Sequence, residues 1–356
     1  MNDKYIYSIG LMSGTSLDGL DIVYVKFHKK DYSDFEIIHS NTIKYSEFWE
    51  ARLKNSIHLD TELLSVLDYD YGQYLGNKTQ EFISKNKITS LDFIASHGHT
   101  VLHQPDKGIT FQVGDGQQIY NIIKCSTVSD FRTQDVQLGG QGAPLVPIGD
   151  RILFSEYEAC LNLGGFANIS YEYGDKRIAF DICPVNIVMN YYCKKIGLDY
   201  DDKGVIASKG TVHEGLLEDL NSLDYYLKNP PKSLGLEWVC QFVYPLLDDY
   251  NLDVEDVLRT FIEHIAQQIS IIIHPFNNVL FTGGGVYNDF LIKRIQIHSN
   301  TQIIIPPDDI INYKEALIFS LLGVLKIHDK INCLSSVTGA KINHSSGKVF
   351  NQNISN

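Results

Sequence analysis

IGLMSGTSLDGLDIVYV, residues 9–25, reads as a strand, a tight turn and a second strand. Ile6 and Ile9 lead in, and the β-branched and aromatic run from Asp21 to Val25 leads out. The turn holds Ser13, Gly14, Thr15, Ser16, Asp18 and Gly19. Glycine permits turn conformations closed to other residues and lets a ligand approach the main chain. Backbone N–H groups beside three hydroxyls suit an anionic oxygen such as phosphate. Asp18 has the chemistry to reach a metal ion directly or through water. A polar hairpin turn with no ligand accounts for these residues equally well at this point.

Two more apolar segments run into glycine turns: CLNLGGFANIS at residues 160–170 and VLFTGGGVYN at residues 279–288. Their spacing is too wide for a solenoid repeat. Three such units suit one nucleotide, with two hairpins on its phosphates and the third turn beside base or ribose.

The chain has 356 residues, enough for two domains with separate cores. An apolar content of 44% with 21% charged residues indicates a folded globular protein. A net charge of −13 argues against a nucleic-acid or anionic-membrane partner, though not against a locally cradled phosphate. The N-terminus lacks a secretory pattern, and no apolar run approaches the ~20 residues of a membrane span. The six cysteines form no CxxC pair. A cytoplasmic protein is expected.

Along the chain, residues 35–43 alternate as a third strand, and residues 60–85 read as a helix capped by Asp60. A short strand at 91–96 is expected to deliver His97-Gly98-His99-Thr100 to a loop. His97, His99 and His103 have no Cys or carboxylate at ligand-like spacing, so pocket residues are favoured over a zinc site. Gln112 and Asp115 stand on a strand entering another glycine turn. Arg132 suits a carboxylate or phosphate, or else a surface ion pair with Asp130 or Asp135. Residues 177–180 form a strand expected to end at Asp181, with a helix starting near Pro184. Asp181 there could act as a base or merely cap the helix. Residues 254–273 give the clearest amphipathic helix, with Asp253 as its cap, and a helix over 313–327 carries Glu315 near its start. Residues past 332 read as an irregular polar tail.

Together these stretches resemble the anhydro-N-acetylmuramic acid kinases over nearly the whole chain. The matching segments are GLMSGTSLDGLD (10–21), SHGHT (96–100), QVGDG (112–116), SDFRTQDVQLGGQGAPLVP (129–147), NLGGFANIS (162–170) and TGGGVYN (282–288). The resemblance implies the α/β two-domain actin-like ATPase fold of hexokinase, Hsp70 and actin, with ATP in the cleft between domains. The expected domains are 1–130, completed by 328–356, and 131–327. It implies hydrolytic opening of 1,6-anhydro-N-acetylmuramic acid with phosphorylation of O6 by ATP, in cell-wall sugar recycling, by a cytoplasmic homodimer. By similarity Asp181 is the base, and His97, Thr100, Gln112, Arg132 and Glu315 face the sugar. Residues 13–19 and Gly164-Gly165 hold the phosphates with Mg²⁺, which Asp18 binds directly or through water. Gly283, Gly284 and Gly285 line the adenosine.

The chain departs from the family's usual pattern in three places. Asp181-Ile182-Cys183-Pro184-Val185-Asn186 replaces Asp-Thr-Gly-Pro-Gly-Asn, Leu234 and Leu236 replace a threonine and an arginine, and Ile148-Gly149-Asp150 stands where a histidine is usual. A related sugar substrate and a non-catalytic nucleotide- or sugar-binding regulator are the alternatives.

Overall fold

The computed structural model describes residues 4–14 and 17–351. Thr15 and Ser16, both expected at the phosphate turn, lie outside the described residues. The described strands are β1 (Tyr5–Ser13), β2 (Leu20–His28), β3 (Asp31–Ile43), β4 (Phe93–Gln104), β5 (Ile109–Val113), β6 (Thr127–Ser129), β7 (Ala159–Leu163), β8 (Phe166–Tyr173), β9 (Lys176–Pro184), β10 (Asn278–Thr282), β11 (Gln302–Ile304) and β12 (Lys348–Phe350).

The chain divides into two compact units. The first is Met1–Leu153 with Tyr313–Asn356, and the second is Phe154–Asn312. In the first, the strand order is β12-β6-β4-β1-β2-β3, with β5 paired to β4. In the second it is β11-β10-β7-β8-β9. Each unit opens with a three-stranded antiparallel meander and then adds parallel strands beside the meander's first strand. The order 3-2-1-4-6 in one unit is therefore repeated as 9-8-7-10-11 in the other. This duplicated α/β pattern is the architecture expected of the actin-like ATPase fold.

In the first unit, β1 and β2 carry nearly continuous buried side chains, as strands covered on both faces do. One face packs on the helix Thr61–Lys85 through Leu64, Leu67, Tyr71, Leu75 and Phe82. Asp60 caps that helix by accepting the Leu63 N–H at 2.9 Å, as expected, whereas Leu63 itself is exposed. The other face takes the helix Asp308–Ile327, which begins earlier than Tyr313. A Cβ on Gly10 of β1 would stand 2.1 Å from the Ala316 carbonyl oxygen. Glycine thus lets the helix backbone lie directly on the strand.

In the second unit, the helix Val254–Ile273 buries Val257, Leu258, Phe261, Ile262, Ile265 and Ile269 in the core. Asp253 precedes it in extended conformation but makes no side-chain cap bond. The C-terminal stretch is not an irregular tail. It forms a helical turn, Ser335–Thr338, and then β12, which pairs antiparallel with β6 and covers that sheet edge. No described helix is long and apolar enough to cross a membrane.

Gly10→Ala is expected to destabilise the protein by about 1–3 kcal/mol through overpacking. Denaturant unfolding measures this, and an unchanged midpoint would contradict so close a strand–helix contact.

Candidate active site

The first unit gathers most of the residues expected to face a sugar. His97-Gly98-His99-Thr100 is part of β4 and not a loop. Gly98 adopts φ +72° there, a turn in mid-strand that a side chain would strain. Register places Thr100 opposite Gln112 of β5 and His99 opposite Ser13 of β1. After Val113 the chain enters the helix Gly116–Ile123, which Asp115 caps by accepting the Gln117 N–H at 2.9 Å.

Arg132 does not pair with Asp130 or Asp135 in the way a surface residue would. It donates Nε–H and Nη2–H to His97 Nε2 at 3.0 and 2.9 Å, and Nη1–H to the Gly142 carbonyl at 2.6 Å. Asp130 pairs with Lys348 instead. With Nε2 accepting, His97 Nδ1–H donates to the Gly98 carbonyl at 2.9 Å. Burial, and then the Arg132 charge, push the His97 pKa far down, so its ring stays neutral and orients the guanidinium. Burial lowers Arg132 to about 10, against the pull of Glu315, so it remains a cation. The His97 Nε2 lone pair is taken by Arg132. His103 Nδ1 faces Thr110 Oγ1 at 3.2 Å.

Glu315 lies in the second turn of the helix Asp308–Ile327. Its side chain meets solvent, while surrounding protein raises its carboxyl pKa against the opposing charges of Arg132 and Lys314. Asp18 raises it further, and both Asp18 and Glu315 raise Asp21. Asp21 reaches about 6, chiefly through burial, although Thr42 Oγ1–H donates to it at 2.6 Å. Sequence reasoning missed Asp21, which lies in the same motif as Asp18, and it missed a hydroxyl chain. Tyr45 donates to Ser13 Oγ at 2.7 Å, Tyr45 and Tyr71 hydroxyls meet at 2.6 Å, and Ser13 Oγ lies 3.0 Å from His99 Nδ1. Burial lowers His99 to about 4.

The second unit holds Asp181 and the remaining glycines. Asp181 lies within β9, which runs on to Pro184, and the following helix is Asn186–Lys195. Asp181 therefore does not cap that helix, and its dipole does not bear on the carboxylate. A β-bulge sets Asp181 instead. Asn168 pairs with Asp181 and Ala167 with Cys183, so Ile182 is the extra residue that re-aims the strand. The Pro230-Pro231-Lys232-Ser233 loop then clamps it. Asp181 N–H donates to the Lys232 carbonyl at 3.2 Å, and Leu234 N–H donates to Asp181 Oδ2 at 2.8 Å. Tyr225 O–H holds the Asp181 carbonyl at 2.6 Å. Burial raises the Asp181 pKa, against the Leu234 hydrogen bond. Ile182, Cys183 and Val185 are all buried in the unit's hydrophobic core.

Gly164-Gly165 joins β7 to β8. Its carbonyls accept the Val185, Asn186 and Ile187 N–H groups at 2.8, 3.3 and 3.2 Å, fastening the turn to the helix Asn186–Lys195. Gly283 has φ +83°, and a Cβ there would lie 2.6 Å from Asn162 Oδ1. A Cβ on Gly285 would lie 2.7 Å from Leu163 Cβ. A Cβ on Gly284 would meet nothing within 4 Å. The fold demands glycine at 283 and 285, but nothing within the chain demands it at 284.

The first unit thus holds a buried arginine–histidine pair and the second a clamped carboxylate, on a duplicated α/β fold of the actin-like ATPase type. The family model described as anhydro-N-acetylmuramic acid kinase matches residues 6–352. The anhydro-N-acetylmuramic acid kinase of Francisella tularensis subsp. novicida is 32% identical over 95% of this chain and 97% of its own. That of Vibrio parahaemolyticus is 33% identical over 99% of both chains. The chain belongs to the anhydro-N-acetylmuramic acid kinase family. Among solved structures, a Plasmodium falciparum glycerol kinase with ADP gives a loose likeness, at 10% identity and TM-score 0.44 over 90% of each chain.

Gly283→Ala is expected to lower the melting temperature, because it forces φ +83° on a side chain that meets backbone. Gly284→Ala is expected to leave stability within about 0.5 kcal/mol of the native chain. Thermal unfolding of the two variants side by side checks the contrast.

Proposed function

We propose that the protein uses ATP to open 1,6-anhydro-N-acetylmuramic acid by hydrolysis and to phosphorylate O6, giving N-acetylmuramic acid 6-phosphate and ADP. The observation that carries this reading is Asp181, a half-buried carboxylate with a raised pKa, held by the bulge in β9 and by the Leu234 N–H. Its role is that of a base. As water adds to the anomeric carbon, Asp181 takes its proton. The bond from that carbon to O6 breaks, O6 attacks the γ-phosphorus, and the bond to the ADP oxygen breaks.

Phosphoryl transfer needs mainly alignment and charge neutralisation. The residues from Ser13 to Gly19 and Gly164-Gly165 are assigned to the ATP phosphates, and Gly283 to Gly285 to the adenosine. The open space over Gly284 fits that assignment. The mutual electrostatic influence of Asp18, Asp21 and Glu315 marks a concentration of carboxylates suited to a divalent cation. Mg²⁺, held by Asp18 directly or through water, would supply charge neutralisation at the phosphates. His97, Thr100, Gln112, Arg132 and Glu315 are assigned to the sugar. The Nη N–H groups of Arg132 that do not bond His97 or Gly142 suit the lactyl carboxylate of a muramic sugar. The proposal further makes the enzyme a cytoplasmic homodimer in cell-wall sugar recycling, with family membership as its support. A pure binder has no use for a base, and the burial of Ile182, Cys183 and Val185 gives no ground for a reshaped pocket.

Coupled ADP release from 1,6-anhydro-N-acetylmuramic acid, ATP and Mg²⁺ tests the reading. Asp181→Asn keeps an acceptor for Leu234 N–H and is expected to cut turnover by ~10²–10⁴-fold. No turnover by the native chain on this sugar would refute the assignment. Because Asp181 must be ionised to accept a proton and its pKa is raised, kcat/KM should fall on acidification at a pH above the ordinary carboxylate range. A profile flat down to pH 4 would remove Asp181 from the role of base. Arg132→Lys loses the planar fork and is expected to raise KM for the sugar about tenfold or more, leaving KM for ATP near its native value.

A further inference from the structure

Asp135, Cys333 and His344 meet in the first unit, behind Arg132, whose guanidinium feels the Asp135 and Cys333 groups. All three are buried, at 0, 1 and 6% exposure. They are the one group of three such residues among those described whose ligand atoms all fall within 4.8 Å of one another. Cys333 Sγ lies 3.0 Å from Asp135 Oδ1, and His344 Nε2 lies 3.6 Å from the same oxygen. Zinc bonds of roughly 2.0–2.3 Å in a tetrahedron imply edges of about 3.3–3.7 Å, which the His344–Asp135 separation matches; the shorter one is the Cys333 S–H donating to the carboxylate, and it opens by about 0.5 Å once a cation replaces that proton.

His344 supplies the independent sign of a ligand. Its Nδ1 faces the Ile342 carbonyl at 3.1 Å and donates there, so in the neutral ring Nε2 carries the lone pair. Nε2 is fully buried with no hydrogen-bond partner and is aimed at a carboxylate oxygen. Two acceptors so placed repel unless a cation or proton lies between them. A backbone carbonyl fixing the far nitrogen is also how metal-binding histidines are oriented.

The surroundings brace the group. Cys333 and His344 face each other across an antiparallel bridge, with N–H to carbonyl bonds of 3.1 and 3.2 Å. Asp135 is held by Thr338 Oγ1–H at 2.7 Å and by Gly142 N–H at 2.7 Å. Gly140 leaves room for it, because a Cβ there would lie 2.2 Å from Asp135 Oδ2.

We propose that Asp135, Cys333 and His344 form a buried site for a divalent cation of the zinc type, supplying three of its four ligands, with water as the fourth. The donors are one carboxylate oxygen, one thiolate and one imidazole nitrogen, a set that zinc favours over magnesium or calcium. Binding replaces the Cys333 S–H proton, which is released to solvent, and two anionic ligands offset the ion's two charges. The cation joins the turn before Gly139 to the C-terminal segment, 198 residues further along the chain. It thereby steadies Gly142, whose carbonyl holds Arg132.

The untagged full chain, expressed with added zinc, is expected to contain about one zinc per chain by elemental analysis. Expressed with cobalt instead, it should show a near-ultraviolet thiolate-to-metal band. Cys333→Ser should abolish that band, and replacement of the exposed Cys240 by Ser should not. His344→Gln should reduce metal content about tenfold or more. Zinc below about a tenth per chain overturns the proposal. So does a cobalt band that survives Cys333→Ser. The native chain's metal content decides the matter even if a variant fails to fold.

Discussion

The absence of a side chain at Gly10 governs much of the first unit. It lets the helix Asp308–Ile327 lie with a backbone carbonyl against β1. Once the helix is that close, Phe319 packs on the His97 ring with centroids 4.5 Å apart and on Phe131 at 5.6 Å. His97 is thereby fixed in the orientation that receives Arg132. Glu315, one turn earlier on the same helix, is brought within electrostatic reach of Arg132, Asp18 and Asp21. A packing constraint on a strand thus becomes a constraint on charged groups. An alanine methyl at position 10 would be felt at the guanidinium without touching it.

The second unit solves a related problem by other means. Asp181 is held still without a cation on its carboxylate: the Leu234 N–H donates to that carboxylate, its own N–H donates to the Lys232 carbonyl, and the Tyr225 hydroxyl donates to its carbonyl. Burial raises its pKa and the single N–H only partly opposes this. Lys232 directs its ammonium toward the Tyr225 and Phe180 rings, 4.7 and 5.8 Å from their centroids. The loop that carries Lys232 therefore acts on Asp181 through peptide groups, and Leu234 needs only its N–H to do so.

The two meanders, their glycine turns and the helix Val254–Ile273 were legible because each has a local signature. Alternation marks the strands, a 3.6-residue period marks the helix, and glycine marks the turns. What was not legible is non-local. The SHGHT segment has the composition of a loop, yet β1 and β5 hold it in a sheet while Gly98 absorbs the kink. Asp181 looked like a strand end because Pro184 invites a helix, but the pairing with β8 carries the strand on to Pro184. The polar C-terminal stretch gave no sign of its buried Cys333 and His344, whose partner Asp135 is far away in sequence. The Asp135–Gly140 contact had one trace, in the glycine-rich loop GGQGAPLVP, where a glycine makes space for a carboxylate and not for a ligand.

Asp150 shows how a buried charge is accommodated. A buried carboxylate at this position would be strongly unfavourable if left alone. Here Lys314 Nζ meets Asp150 Oδ1 at 2.8 Å, with both side chains buried. Lys314 immediately precedes Glu315, so the ion pair anchors the helix turn that presents Glu315. Removing either partner would leave an uncompensated buried charge, typically costing about 3–5 kcal/mol, whereas the intact pair contributes little net stability. The pair is therefore better understood as fixing position than as adding stability. It holds the start of the helix at the point from which Glu315 and, one turn on, Phe319 are set.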